Sequence, residues 1–248
     1  MKPLLGPADP DPVLIERAAS TSAFVITCDH AGKAIPQALG DLGISSAELD
    51  RHIGWDIGAL GTARHLAALL DAPLIAQRYS RLVIDCNRPP GHAGLITPIS
   101  DGTRIPANRS PSDADIRQRT TEIYDPYHAA LAAILDERKS LDIPITVVSM
   151  HSFTPIFEGF QRPWHIGVLS GADRRVADPV LAALSDQTNV CVGDNQPYQI
   201  DEKDAGIPRH AINRGLPNVL FEIRQDLIES SDGQQNWAGR VARALESL

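Results

Sequence analysis

PITVVSM, residues 144–150, is an apolar run rich in β-branched residues that ends directly on His151. Seven residues of this composition read as a β-strand. Outward from it, AFVITC (23–28), PLIAQ (73–77), RLVID (81–85), HIGVLS (165–170) and NVLFEI (218–223) share the pattern. Helix-periodic segments near 46–70, 112–139, 173–186 and 234–247 alternate with these strands. Such alternation predicts one three-layer α/β domain over residues 21–248, with a mixed, mostly parallel sheet and helices on both faces. Residues 1–20 are expected to be a loosely packed lead-in, and no repeat or long linker marks a second domain.

A chain of 248 residues with 43% hydrophobic and 22% charged residues can bury one sizeable core. The net charge of -8 and the lack of any Lys/Arg run argue against a nucleic-acid partner. No apolar run approaches membrane-spanning length, so no membrane partner is expected. The opening MKPLLGPADPDP is broken by prolines and lacks the apolar stretch of an export signal. Cys28, Cys86 and Cys191 are odd in number and form no CxxC pair. They read as reduced thiols, and the expected location is cytoplasmic.

The chemistry is expected at the carboxyl ends of the strands, where open α/β sheets bind ligands. His30 follows AFVITCD, His151 follows PITVVSM, Asn87 and Arg88 follow RLVIDC, and Glu222 lies within NVLFEI. Three loops (86–111, 152–164 and 193–217) adjoin these positions, and the first carries five prolines. The spacing also predicts a helix over 46–70, capped by Ser45 with Glu48 completing a capping box. Asp56 falls in the middle of its apolar stripe of Leu49, Ile53, Leu60, Ala63 and Ala67. A carboxylate facing the core must be paired, hydrogen-bonded or bound to a metal. Two histidines and a carboxylate form a common catalytic zinc set. Each residue also has a plainer reading: a structural histidine, an Asp56 ion pair with Arg78 or Arg81, a Glu222–Arg224 pair, or turn chemistry at Asn87 and Arg88.

CDHAGKAIP (28–36), RYSRLVIDCNRPP (78–90), SMHSFTP (149–155), RPWHIGVL (162–169) and RHAINRGLPNVLFEIRQDLI (209–228) together resemble the N-formylglutamate amidohydrolase family. The resemblance spans roughly residues 22–228 and implies a fold similar to zinc carboxypeptidases and aspartoacylase-like deacylases. It implies a metal-dependent hydrolase that cleaves the amide of a small anionic N-acyl amino acid such as N-formylglutamate. His30, Asp56 and His151 would be ligands of about one Zn2+, or another divalent cation, per chain. Glu222 would be the general base, Arg81 the oxyanion donor, and Asn87 with Arg88 the clamp on a substrate carboxylate. His210 and Arg214 would reach over the site from the third loop. Asp50 is the reserve for Asp56, because the carboxypeptidase position three residues after the first His is Lys33 here. The better-known deformylase branch carries proline where this chain has Asp29, so a different branch is expected. Two competing readings are a non-catalytic small-molecule binding protein on the same fold and a cell-wall-related amide hydrolase.

Overall fold

The computed structural model describes residues 2–246 and residue 248. In chain order its elements are β1 (Val13–Glu16), β2 (Phe24–Cys28), α1 (Ser46–Leu49), α2 (Ala59–Leu69), β3 (Leu74–Gln77), β4 (Ile99–Ser100) and β5 (Thr103–Arg104). There follow α3 (Asp113–Arg119), α4 (Asp125–Ser140), β6 (Thr146–Phe153), β7 (Ile156–Phe157), β8 (Phe160–Gln161) and β9 (Ile166–Leu169). The chain ends with α5 (Ala177–Ser185), β10 (Val192–Asp194), α6 (Gly206–His210), β11 (Asn218–Arg224) and α7 (Ser231–Leu245). Seven strands form one sheet in the order β1-β3-β2-β6-β11-β9-β10, while β4-β5 and β7-β8 are separate hairpins. β1 is antiparallel to β3 and β9 is antiparallel to β11; the other pairs are parallel. No helix among the described residues is long and apolar enough to cross a membrane.

The period-two alternation of strand side chains splits the core between the two faces of the sheet. Ile26, Val148, Met150, Val219, Phe221 and Ile223 pack with α2, α5 and α7. Val25, Ile75, Val147 and Leu220 pack on the other face with α4 and the segment 79–86. Burying each large side chain in these layers contributes about 1.5–3 kcal/mol. The sheet is therefore mixed with helices on both faces, as its alternating sequence pattern implies.

Four expectations change. The lead-in expected over 1–20 is tied down within its described residues 2–20: β1 occupies the outer edge of β3, Leu4 is buried, and the amides of Leu4 and Leu5 donate to the Glu122 carboxylate. RLVID (81–85) forms turns rather than a strand. Leu82, Val83 and Ile84 are buried as expected for an apolar run, but β1 already holds the sheet edge beside β3. The helix near 46–70 is broken into α1 and α2 by turns over 50–58. Gly58, which precedes α2, has φ +77°, and a Cβ there would lie 2.1 Å from the Ile228 carbonyl oxygen. Ser45 does cap α1, accepting from the Glu48 amide, but the Glu48 carboxylate is bound by Arg51 and Thr103 instead of closing a capping box.

Candidate metal centre and active site

β2 leads directly into Asp29 and His30, and the His30 carbonyl accepts from the Asp56 amide at 2.9 Å. The turn carrying Asp56 is thereby fastened to the carboxyl end of β2. On the next strands Glu222 pairs in parallel register with His151. Val148 and Met150 point into the first core, as do Phe221 and Ile223, so His151 and Glu222 point to the opposite face and lie side by side. Asp56 is therefore a loop residue rather than part of a helix, yet it meets the partners that its burial demands.

One ligand atom each from His30, Asp56 and His151 lie within 4.8 Å of one another, and all three residues are buried. Asp56 Oδ2 is 2.8 Å from His151 Nδ1 and 3.4 Å from His30 Nδ1. His30 Nε2 hydrogen-bonds Asp85 Oδ1 at 2.8 Å, leaving its Nδ1 with no hydrogen-bond partner. Asp85 also accepts from Arg81 Nε at 3.1 Å, from Arg81 Nη2 at 2.8 Å and from the Asn87 amide at 2.9 Å. Arg81 Nη1 lies 3.4 Å from Asp56 Oδ1. Glu222 Oε2 is buried and has no partner.

Burial opposes charge on Asp56, but the adjacent His30 and His151 imidazoles outweigh it and hold the carboxyl well below the usual range. Burial likewise opposes charge on Asp85, and Arg81 and His30 overcome it. For His151, burial is outweighed by Asp29 and Asp56, which raise its pKa well above the ordinary imidazole value. Glu222 behaves oppositely. Burial, reinforced by Asp56, pushes its carboxyl up to about 7 against the pull of His151, His30 and Arg81. Four buried carboxylates facing two imidazoles and one guanidinium create a field suited to a cation. The His/Asp/His donor set and the unpartnered His30 Nδ1 and Glu222 Oε2 fit a divalent metal such as zinc.

A cavity of about 350 Å³ opens over this cluster. Arg81, Asn87 and Arg88 line it together with Glu222 and the three candidate ligands. Arg88 Nη1 donates to Asp204 Oδ1 at 3.1 Å and to the Lys203 carbonyl at 2.9 Å, while its guanidinium Nε and Nη2 make no hydrogen bond among the described residues. The Asn87 side chain is already engaged by the protein: its Oδ1 accepts from the Ala205 and Gly206 amides, and its Nδ2 donates to Asp204, which leaves one N–H for a substrate. Asp50 pairs with Lys33 and is exposed, so the reserve ligand lies outside the cluster. His210 and Arg214 do not reach the cavity. Arg214 pairs with Asp136, and buried His210 hydrogen-bonds His128 at 2.8 Å.

Asp29, Asp85, His52, Tyr198, Lys203 and Asp204 are the contributors that sequence reasoning missed. Asp85 sits inside the quoted DCNRPP block and Asp29 immediately precedes His30, so their positions carried a signal. The other four become neighbours of the site only through folding.

The His128–His210 pair gives the fold an acid-sensitive point. Burial lowers the pKa of His128 to about 4, and burial with the adjacent His128 lowers that of His210 to about 3. The unfolded chain, with histidines near 6.5, binds more protons than the fold between these limits, so stability rises with pH there. Denaturant titrations are expected to show stability falling as pH drops from about 6.5 toward 4, by on the order of 1.4 kcal/mol per pH unit for each histidine. His210→Asn should make that dependence shallower; an unchanged slope would contradict the assignment.

Three comparisons place this architecture among known proteins. The family model described as N-formylglutamate amidohydrolase matches residues 22–229. A Pseudomonas putida N-formylglutamate deformylase is 30% identical over 173 residues, covering 64% of this chain and 62% of that protein's length. The crystal structure of an Agrobacterium tumefaciens gene product superposes with a TM-score of 0.94 at 37% identity over 98% of both chains. An N-formylglutamate amidohydrolase from Ralstonia eutropha shares the fold, with a TM-score of 0.69 and 19% identity over 96% of this chain and 98% of that one. The match to the family model covers most of the chain, including His30, Asp56, His151 and Glu222, and on that extent the chain belongs to the N-formylglutamate amidohydrolase family.

Proposed function

We propose that the chain is a metal-dependent amidohydrolase acting on a small anionic N-acyl amino acid of the N-formylglutamate type. The observation that carries this reading is the buried, unpartnered Glu222 carboxylate beside the His30–Asp56–His151 cluster at the floor of an open cavity. His30, Asp56 and His151 would hold the cation, which when bound supplies Lewis-acid polarisation of the amide and acidification of a water. Glu222, with its pKa near neutrality, takes a proton from the attacking water and returns it to the departing amine nitrogen. Arg81 is held at the cavity wall by Asp85 and offers positive charge where the carbonyl oxygen becomes negative. Family membership and the name of the Pseudomonas putida relative support the substrate class.

Arg88 is the candidate carboxylate clamp. Its Nη1 is anchored on the Lys203 carbonyl and Asp204, while Nε and Nη2 remain available for a two-pronged contact. Amine release from N-formylglutamate and related N-acyl amino acids tests both the reaction and the clamp. Arg88→Lys should lower kcat/KM on the acid by about 10-fold or more, the loss expected for one charge-assisted bidentate pair. The matching amide, with its α-carboxylate neutralised, should hardly change. Equal losses on both substrates would leave Arg88 as a brace for the 203–204 turn. No amine release from any N-acyl amino acid by metal-loaded protein would overturn the proposed reaction.

A further inference from the structure

Each candidate histidine ligand must present one ring nitrogen to a cation, so the other must carry a proton and needs an acceptor where it is buried. His30 meets this requirement through Asp85. His151 does so less obviously. Its Nδ1 faces Asp56, and its buried Nε2 has no hydrogen-bond partner. Among the described residues, the carboxylate oxygen within 4 Å of that nitrogen is Asp29 Oδ2, at 3.7 Å. The other oxygen of Asp29 accepts from the phenol of Tyr127, a fully buried side chain on α4. Gly206 closes over the same carboxylate: a Cβ at this position would lie 2.5 Å from Asp29 Oδ2 and 3.1 Å from Asn87 Oδ1. The carboxylate is thus held from one side by Tyr127 and confined on the other by the start of α6, with Oδ2 toward His151.

We infer that Asp29 is the positioning residue for His151: with Tyr127 it keeps the imidazole protonated at Nε2 and Nδ1 turned toward Asp56. This rests on His151 being a metal ligand, as proposed above. Asp29 touches neither substrate nor reacting atoms and acts through the ring. It also gives Tyr127, on the helix α4 that packs against the face of the sheet to which His151 points, a defined role in the site. The Asp29–Tyr127 pair and Gly206 form one unit, because a side chain larger than hydrogen at 206 would displace the carboxylate.

The test is zinc affinity, measured on the full-length chain by competition with a chromophoric chelator well below the melting temperature. Asp29→Asn keeps the size of the side chain but removes its charge, and should weaken zinc binding ~10- to 100-fold, the range for residues that support metal ligands. Tyr127→Phe removes only the hydrogen bond to Asp29 and should weaken it about 2- to 10-fold. Tyr124→Phe, nearby but without a hydrogen bond to Asp29, should bind zinc as the parent does. A merely structural Asp29 would lower the melting temperature and leave the affinity of the folded protein unchanged. Parent-like affinity in Asp29→Asn overturns the positioning role alone. If that variant does not fold, parent-like affinity in Tyr127→Phe overturns it instead. Failure of the parent chain to bind zinc at all overturns the metal assignment, and this inference with it.

Discussion

Glu222→Gln is expected to lose at least ~100-fold in turnover while keeping its full complement of metal, the scale of removing a general base. The geometry explains why the two effects should separate. Glu222 is adjacent to His151 across the β6–β11 pairing but is not one of the three residues whose ligand atoms converge. Gln preserves shape and can occupy the same buried position, but it cannot accept and return a proton. Burial raises the Glu222 pKa to about 7, so the group is ionised in a useful fraction of molecules near neutral pH and its conjugate acid is still a competent donor. Loss of kcat with little change in metal content would confirm the role. Parent-like turnover would make Glu222 structural, and parallel loss of metal and activity would make it a ligand.

Replacing His30 or His151 by alanine is expected to abolish stoichiometric zinc binding, measured by metal analysis after dialysis. The parent chain should bind about one zinc. Each imidazole is a member of the converging set, so its removal should exceed the roughly 10- to 100-fold effect of a supporting residue. Asp56→Ala should behave like the histidine variants, because Asp56 Oδ2 lies against both rings. Asp50→Ala should retain metal, since Asp50 is an exposed partner of Lys33. Added zinc should also raise the melting temperature of the parent by mass action, and of the histidine variants much less. Full metal occupancy in the His30/His151 double alanine variant would remove the assignment.

Asp56 and Asn87 differ in how much of their surroundings is written in the nearby sequence. The periodicity puts Asp56 on the apolar stripe of a helix that the structure breaks at 50–58. The residue nevertheless proved to be buried among cations, because the penalty for desolvating a carboxylate is independent of the secondary structure that carries it. Arg88 and Asn87 line the cavity, but the Asn87 side-chain oxygen is taken by the amides of Ala205 and Gly206, which are more than a hundred residues away in sequence. Such pairing has no local signature.

The sequence by itself determined the α/β class, the strands β2, β3, β6, β9 and β11, and the placement of His30, His151 and Glu222 at or near strand ends. These follow from apolar runs and their spacing, which act within a few residues of chain. Tertiary structure alone decided that Val13–Glu16 would take the edge beside β3 and that RLVID would bury its side chains without joining the sheet. It also decided that His210 would pair with His128, Arg214 with Asp136, and Asp85 with His30 and Arg81. Sheet edges are filled by whichever segment can reach them, and a buried charge takes whichever partner the folded chain brings within a few ångströms.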